Sequence, residues 1–440
     1  MNALARIGRL SAAFLGSNLV RGAIAFVLSL VVGRALGVDR FGRWILCSTW
    51  ASTLTAGADL GLGLLLTRDR ARGALCASAL VLRLAVAIPA AMAMALAASW
   101  IVGDPETVRG LQVAAVLGLV GAAYGCFGSS LRSRPDWVPA VLALETLWHA
   151  AQLVASWMLL RVAATADVPA LLAIAVAVQA AQIMTALVLW RTAFGPREPI
   201  RPPAWRETRA TFVRALPFAA AGIVANLQTR MAPLMLGYRS TESELGAFAA
   251  AARFGTTARL APGAIFAGAL PVLSREHERG DAESRTAFIS FDRAFAALAL
   301  LTAIAGVVLA RPLLRLVYGP AFAAAAPALV WISLGLAPTL INSATKIALY
   351  AAGADRLATA WSAVSLVVQA ILALALIPRF GAVGAAWAIA VGEVVIFLPL
   401  RRARRAHRTP TPSSPHRAPE PTIARHQPSV GDVPDPAAAR

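Results

Sequence analysis

The chain has 440 residues, 58% of them hydrophobic and 14% charged, with a formal net charge of +19. A soluble chain carries about 25% charged residues, so the composition excludes a large soluble enzyme and points to the bilayer as solvent. The positive charge sits in short loops and in the C-terminal tail instead of on one face, which argues against nucleic acid as a partner.

A spanning helix needs about 20 mostly apolar residues, and such windows follow one another along the chain. They predict an all-α, polytopic membrane protein with about 12 helices, at 12–36, 44–66, 75–101, 110–131, 138–160, 168–190, 211–237, 245–271, 287–310, 323–349, 357–377 and 382–400. Arg6 and Arg9 precede the first window as in a signal peptide, but that window is long, contains Arg21 and lacks a clear cleavage site. It is read as an uncleaved first helix. Cys47, Cys76 and Cys126 have no metal-ligand spacing and are read as small packing residues. Nor is there a phosphate-cradling Gly-rich loop followed by Lys, so neither metal nor cofactor is expected.

Loop arginines set the orientation. With the N-terminus in the cytoplasm, the inner side collects about 25 Lys and Arg and the outer side about 9; without the tail the ratio is about 17 to 9. Both termini are expected in the cytoplasm. Arg34, Arg40 and Arg43, in the first outer loop, go against the rule. All but Lys346 of the 41 basic residues are Arg, the usage of a GC-rich bacterial genome.

The Pro- and Arg-rich stretch 191–210 bisects the chain. An even number of helices on each side makes the halves parallel repeats about the membrane normal. The expected organisation is a six-helix lobe over 1–190, a cytoplasmic linker over 191–210, a second six-helix lobe over 211–400, and a basic, disordered tail over 401–440. A faint echo relates Leu36-Gly37-Val38-Asp39-Arg40-Phe41-Gly42 to Glu242-Ser243-Glu244-Leu245-Gly246-Ala247-Phe248. Arg401, Arg402, Arg404 and Arg405 would lie against anionic membrane lipid.

Arg21, Arg83, Arg230, Arg253, Arg259 and Lys346 fall inside helices. A mid-membrane Arg or Lys costs about 2.5–3.5 kcal/mol, so six could cost on the order of 15–20 kcal/mol if central and lipid-facing. They must snorkel, pair, or face a wet cavity. Asn18 with Arg21, Asn226 with Arg230, and Asn342 with Lys346 share helix faces at spacings of three or four, each joining a cation to an amide. Arg253 forms a further stripe with Thr256 and Thr257, and Glu145, His149, Gln152 and Ser156 line one face of the fifth helix. Arg21, Arg253 and Lys346 are read as cavity residues, Arg230 and Arg259 as either cavity or snorkelling, and Arg83, about two turns from a cytoplasmic end, as snorkelling first and functional second. Glu145 and His149 are a possible proton relay, or simply pair with each other or with a cation. Asp59 is read as a brace for the second helix, and Glu393 is given no role.

Several segments resemble a known family. They are Gly16-Ser17-Asn18-Leu19-Val20-Arg21-Gly22, Gly33-Arg34-Ala35-Leu36-Gly37, Ala58-Asp59-Leu60-Gly61-Leu62-Gly63 closing on Thr67-Arg68, Leu245-Gly246-Ala247-Phe248 with Arg253-Phe254, Leu270-Pro271-Val272-Leu273-Ser274, and Ile377-Pro378-Arg379-Phe380-Gly381-Ala382-Val383-Gly384. In order and spacing over about 12–400, the chain resembles the bacterial polysaccharide flippases of the superfamily that includes multidrug extruders and lipid II flippases. The resemblance implies two lobes around a central cavity in the bacterial inner membrane. It implies export by alternating access of a polyprenyl-diphosphate-linked oligosaccharide for surface polysaccharide or lipopolysaccharide assembly, without enzyme activity. A polymerase and glycosyltransferases of the same pathway would be partners. The chain departs from many relatives at Arg230-Met231-Ala232, where they have an Arg-Ile-Asp-like triplet. The rival expectations are a cation-coupled multidrug extruder and a membrane-bound polymerase or glycosyltransferase. Few acids and many arginines inside the membrane speak against the first. Outer loops of no more than about a dozen residues speak against the second.

Overall fold

Two glycines convert two very long helical runs into hairpins. Helix α1 spans Ala3–Asp59, 57 residues, and a straight helix of that length would reach about 85 Å, far beyond one bilayer. At Gly37 the backbone takes φ 75° and ψ 178°, a conformation costly for any residue with a Cβ. The chain turns back there, so a Cβ on Gly33 would lie 3.5 Å from the ring of Phe41. The last helix, here α11 (Asp355–Ala406), repeats the device at Gly381, φ 51° and ψ −127°. Ser365 Oγ then donates to the Gly392 carbonyl 3.1 Å away, between two now antiparallel strokes.

The computed structural model describes residues 3–69, 73–163, 166–195, 202–259, 282–351 and 354–406. Between the two hairpin helices lie α2 (Leu62–Arg68), α3 (Gly73–Ile101), α4 (Pro105–Arg132), α5 (Val138–Val162), α6 (Val168–Phe194), α7 (Trp205–Arg239), α8 (Glu242–Ala258), α9 (Ala282–Val317), a 3-10 turn (Pro320–Ala325) and α10 (Ala326–Ala351). Counting each hairpin helix as two strokes gives the twelve predicted crossings, with α2 completing the second. No strand occurs among the described residues. Among the described residues eight helices are long and apolar enough to span a membrane, nine with α7, which bends by 58° between Trp205–Leu216 and Phe218–Arg239. Pro217 sits at this bend, whereas α10 runs on through Pro338; residues 260–271 of the eighth segment and the tail beyond Ala406 lie outside the described residues.

The fold has two lobes. In the first, α4 is the centre, packed on α1, α3 and α6; in the second, α10 lies between α9 and α11. Helix ends follow ordinary chemistry: Asp104 and Asp167 cap α4 and α6 by accepting from Thr107 N and Ala170 N, each with a proline opening the helix. The second crossing breaks at Leu60 and Gly61, whose φ values are 47° and 75°. A Cβ on Gly61 would lie 2.7–2.8 Å from Ala215 O and Ala219 N, so glycine admits the close approach of α7. The three cysteines are buried, as packing residues should be.

One end of the bundle carries Gly37 and Gly381, the hinge end; the other carries the described termini. At the hinge end the echoing segments meet. A Cβ on Gly42 would strike the carbonyl of Glu242, and one on Gly246 the carbonyl of Val38, so two small residues let α1 and α8 touch backbone to backbone across the lobes.

Candidate functional site

A polar cavity of about 500 Å³ opens among α1, α3, α4, α5 and α6, with α7 closing its wall. Its lining is mainly uncharged: Ser52, Thr55, Gln152, Gln179, Gln182 and Asn226 contribute hydroxyls and amides. Periodicity explains their convergence. Asn226 and Arg230 are one turn apart on α7, as are His149 and Gln152 on α5, so each pair reaches the same chamber.

Arg230 is the cation at this wall. Its Nε donates to Ser52 Oγ in the other lobe at 3.1 Å and its Nη1 to Asn226 Oδ1 at 2.5 Å. It has no carboxylate partner among the described residues. Arg83 is different, and its reading as a snorkelling residue is corrected here. Its side chain is 3% exposed and ion-paired with Asp59, and its Nη1 donates to the Ala122 carbonyl at 3.3 Å. A carboxylate in the preceding crossing lets the guanidinium stay inside, where a lone charge would have to reach the surface. Asp59 also accepts from Gly63 N at 3.2 Å, so it does brace the broken second helix.

A second cluster sits between α1 and α5. Glu145, 2% exposed, accepts from Arg21, Arg132 and, at 2.9 Å, Tyr124; Arg21 also donates to Asn18 Oδ1 at 2.5 Å. His149 does not meet the Glu145 carboxylate. Its Nδ1 lies 2.6 Å from the Glu145 backbone carbonyl, and the ring faces the chamber. The two residues read as a relay therefore belong to different surroundings.

The second-lobe candidates do not gather at the chamber. Asn342 is buried and donates to the Glu393 carbonyl at 2.8 Å and its carboxylate at 2.9 Å. That gives Glu393 the partner that sequence reasoning did not find. Lys346, one turn on, is half-buried, and Arg253 likewise; neither has a hydrogen bond or ion pair among the described residues. Arg259 is the exposed C-cap of α8, within electrostatic reach of Glu393.

Sequence reasoning missed the hinge-end ion network. Arg43 reaches Asp104 at 3.1 Å and Glu106 at 2.9 Å in its own lobe, and Glu242 at 2.5 Å in the other. Arg40 also pairs with Glu106 at 2.8 Å, and the Arg34 Nε donates to the Val317 carbonyl at 2.6 Å. Glu244 accepts from Ala382 N at 2.7 Å beside the Gly381 turn. Burial pushes the Asp104 carboxyl up, but the Thr107 amide and hydroxyl and the Arg43 charge outweigh it and hold it below the usual range. The one available signal was the excess of arginine in the first loop.

The fold and these sites can now be set beside known proteins. The family model for polysaccharide biosynthesis protein matches residues 9–277, more than half of the chain. The chain belongs to the polysaccharide biosynthesis protein family. A second model, lipid II flippase MurJ, matches residues 256–414. No curated protein matches the sequence. Among solved structures, a lipid II flippase MurJ in an inward closed conformation superposes with a TM-score of 0.71 at 12% identity, over 90% of this chain and 87% of that one. A multidrug resistance MATE family transporter in its inward-facing conformation gives 0.68 at 16% identity, over 90% and 95%. An outward-facing MATE structure gives 0.58 at 16%, over 91% and 96%. The chain thus shares the fold of these structures, with its two lobes. Its helices are those of a multi-pass membrane protein.

Proposed function

We propose that the chain is a flippase that carries a polyprenyl-diphosphate-linked oligosaccharide from the inner to the outer face of the bacterial inner membrane by alternating access. The observation that carries this reading is Arg230: a guanidinium without an acid partner among the described residues, held across the lobe boundary at the wall of a polar cavity. A planar fork that donates two hydrogen bonds at once suits a phosphate. Arg253, Arg259 and Lys346 extend the positive field on the second-lobe side, while the lipid tail stays in the bilayer. In this reading Asn18, Arg21 and Asn342 position their neighbours. Glu145, accepting from two arginines, is a structural anchor instead of a relay.

The lobes are taken as 1–190 and 211–400, joined by a cytoplasmic linker over 191–210, with both termini cytoplasmic. The hinge end is then the outer face, and its Arg43 network keeps the cavity closed on that side. Rocking of the lobes would break the network and open the cavity outward. A negative inner potential favours outward movement of anions by about 2.3 kcal/mol per charge per 100 mV, so no nucleotide is needed. The multidrug extruder is disfavoured because the acids at cavity depth are already engaged: Asp59 by Arg83, Glu145 by Arg21 and Arg132, and Glu393 by Asn342.

A deletion strain tests the function. Sugar-loaded carrier lipid should accumulate on the cytoplasmic face, together with loss of surface polysaccharide. Normal export with no such accumulation would contradict it, and unpolymerised units on the outer face would point to a polymerase.

A further inference from the structure

Helix α7 is longer than one crossing. Its stroke Phe218–Arg239 reaches about 33 Å at 1.5 Å per residue, enough for the hydrocarbon core by itself. Trp205–Leu216 is therefore surplus to the crossing, and the 58° bend turns it away from the span axis. The sides of this half-helix differ. Thr208, Thr211 and Ala215 are buried, Ala215 in the core that holds Leu62 and Leu66 of α2. Glu207 accepts from Ala204 N at 3.3 Å, and Arg214 pairs with Asp69. The remaining side carries Trp205, Arg209, Phe212, Val213 and Leu216 at the i, i+4, i+7, i+8 and i+11 spacing of one helix face, with Arg206 beside them. All are exposed, Trp205 to 77%. Neither Arg206 nor Arg209 has an ion pair or hydrogen bond among the described residues.

This is the composition of a helix that lies in a membrane interface: an indole at head-group level, apolar groups toward the acyl chains, and cations that stretch to the polar rim. The charges select among lipids. The face carries guanidinium groups and no carboxylate, since Glu207 projects from the opposite side. Each basic residue at such a surface favours anionic over neutral surroundings by about five-fold, and the planar fork suits phosphate oxygens. A soluble partner fits less well, because Phe212, Val213 and Leu216 adjoin the point where the span enters the bilayer.

The geometry points to Trp205–Leu216 as an interfacial anchor that binds anionic phospholipid. Arg206 and Arg209 take the head-group phosphate, Trp205 lies at the level of the head groups, and Phe212, Val213 and Leu216 enter the acyl boundary. The assignment does not depend on the flippase reading: it needs no cargo and holds for either leaflet. Arg214 ties the same half-helix to Asp69 of the first lobe, so lipid held there bears on the joint between the lobes.

The test uses the full chain in nanodiscs of phosphatidylcholine with about one-fifth phosphatidylglycerol. The three native cysteines are buried, so a thiol-reactive bimane reports only from an introduced Val213→Cys, or from Leu301→Cys, an exposed position on α9 that samples bulk lipid. Bromine is placed on the acyl chains of the phosphatidylglycerol or of an equal amount of the phosphatidylcholine. Quenching by the brominated phosphatidylglycerol should be at least three-fold the stronger at 213, and the two should be equal at 301. Arg206→Gln/Arg209→Gln should bring the ratio at 213 down to that at 301. Arg209→Gln alone should fall between, and it stands in if the double variant does not reconstitute. Equal ratios at both positions, or an excess at 213 that survives in both variants, would overturn the head-group site. No quenching at 213 by either lipid would overturn the anchor altogether and leave the face to a protein partner.

Discussion

Arg43 Nε lies 2.5 Å from Glu242 Oε2, joining residues 199 positions apart and fastening one lobe to the other at the hinge end. Both side chains keep partial solvent contact, 22% and 33%, and Arg43 divides its donors among three carboxylates. A contact of this kind can hold a closed state firmly enough to be populated and weakly enough to be broken in each cycle. A hydrogen bond to a charged group contributes about 1.5–3 kcal/mol, so Glu242→Gln should shift the lobe equilibrium toward the open side by about tenfold. Spin labels on Val38 and Ala247 would report the shift as a longer distance population; an unchanged distribution would show that the pair does not latch the lobes.

Glycine at 42 and 246 makes that closure possible. A methyl group at either position meets a backbone carbonyl that cannot move away alone. Overpacking of this sort costs about 1–3 kcal/mol. Gly42→Ala and Gly246→Ala should therefore reduce transport and open the hinge end, with the same label-pair signature as Glu242→Gln. Transport at the wild-type rate in both would mean that the backbones can separate without loss.

The Arg83–Asp59 pair should behave as a unit. Removing Asp59, itself 37% exposed, leaves a guanidinium that is 3% exposed without its counter-charge; breaking a fully buried pair costs about 3–5 kcal/mol, and the cavity-facing carboxylate brings the cost here below that range. Asp59→Ala should lower the melting temperature more than the Asp59→Leu/Arg83→Leu double variant does. If the double variant is the less stable, the pair is more than a mutually neutralising contact.

Asp104 gives a pH dependence of known sign. Its folded pKa is depressed, so its contribution is present above the ordinary value of 3.8 and is lost as pH falls through the still lower folded value. Hinge-end closure should weaken below about pH 4, and Asp104→Asn should remove that part of the pH profile. The label-pair distance followed from pH 7 to 3 in both proteins checks this.

Much of the fold was legible because bilayer length is a one-dimensional constraint: an apolar window either spans or does not. Turn chemistry was less so. Short loops were expected around residues 37–43 and 378–381, yet one glycine dihedral does the turning and helix resumes at once. Side-chain pairing across helices was the least legible. Spacing on one helix put Glu145 beside His149, whereas the carboxylate reaches Arg21 124 residues away and the ring meets only the backbone. Arg34, Arg40 and Arg43 looked like a breach of the loop-charge rule for the same reason: each is tied to another segment, to the Val317 carbonyl, Glu106 or Glu242, and none acts as a free loop charge.

The most direct measurement is transport of a polyprenyl-diphosphate-linked sugar in proteoliposomes containing the wild-type chain, Arg230→Ala or Arg230→Lys. Removing one charge-assisted contact of about 1.5–3 kcal/mol should slow the alanine variant by at least tenfold without changing its melting temperature. Lysine, which keeps the charge but not the fork, should fall between. Equal rates in all three proteins would contradict the assignment of Arg230 as the group that receives the diphosphate.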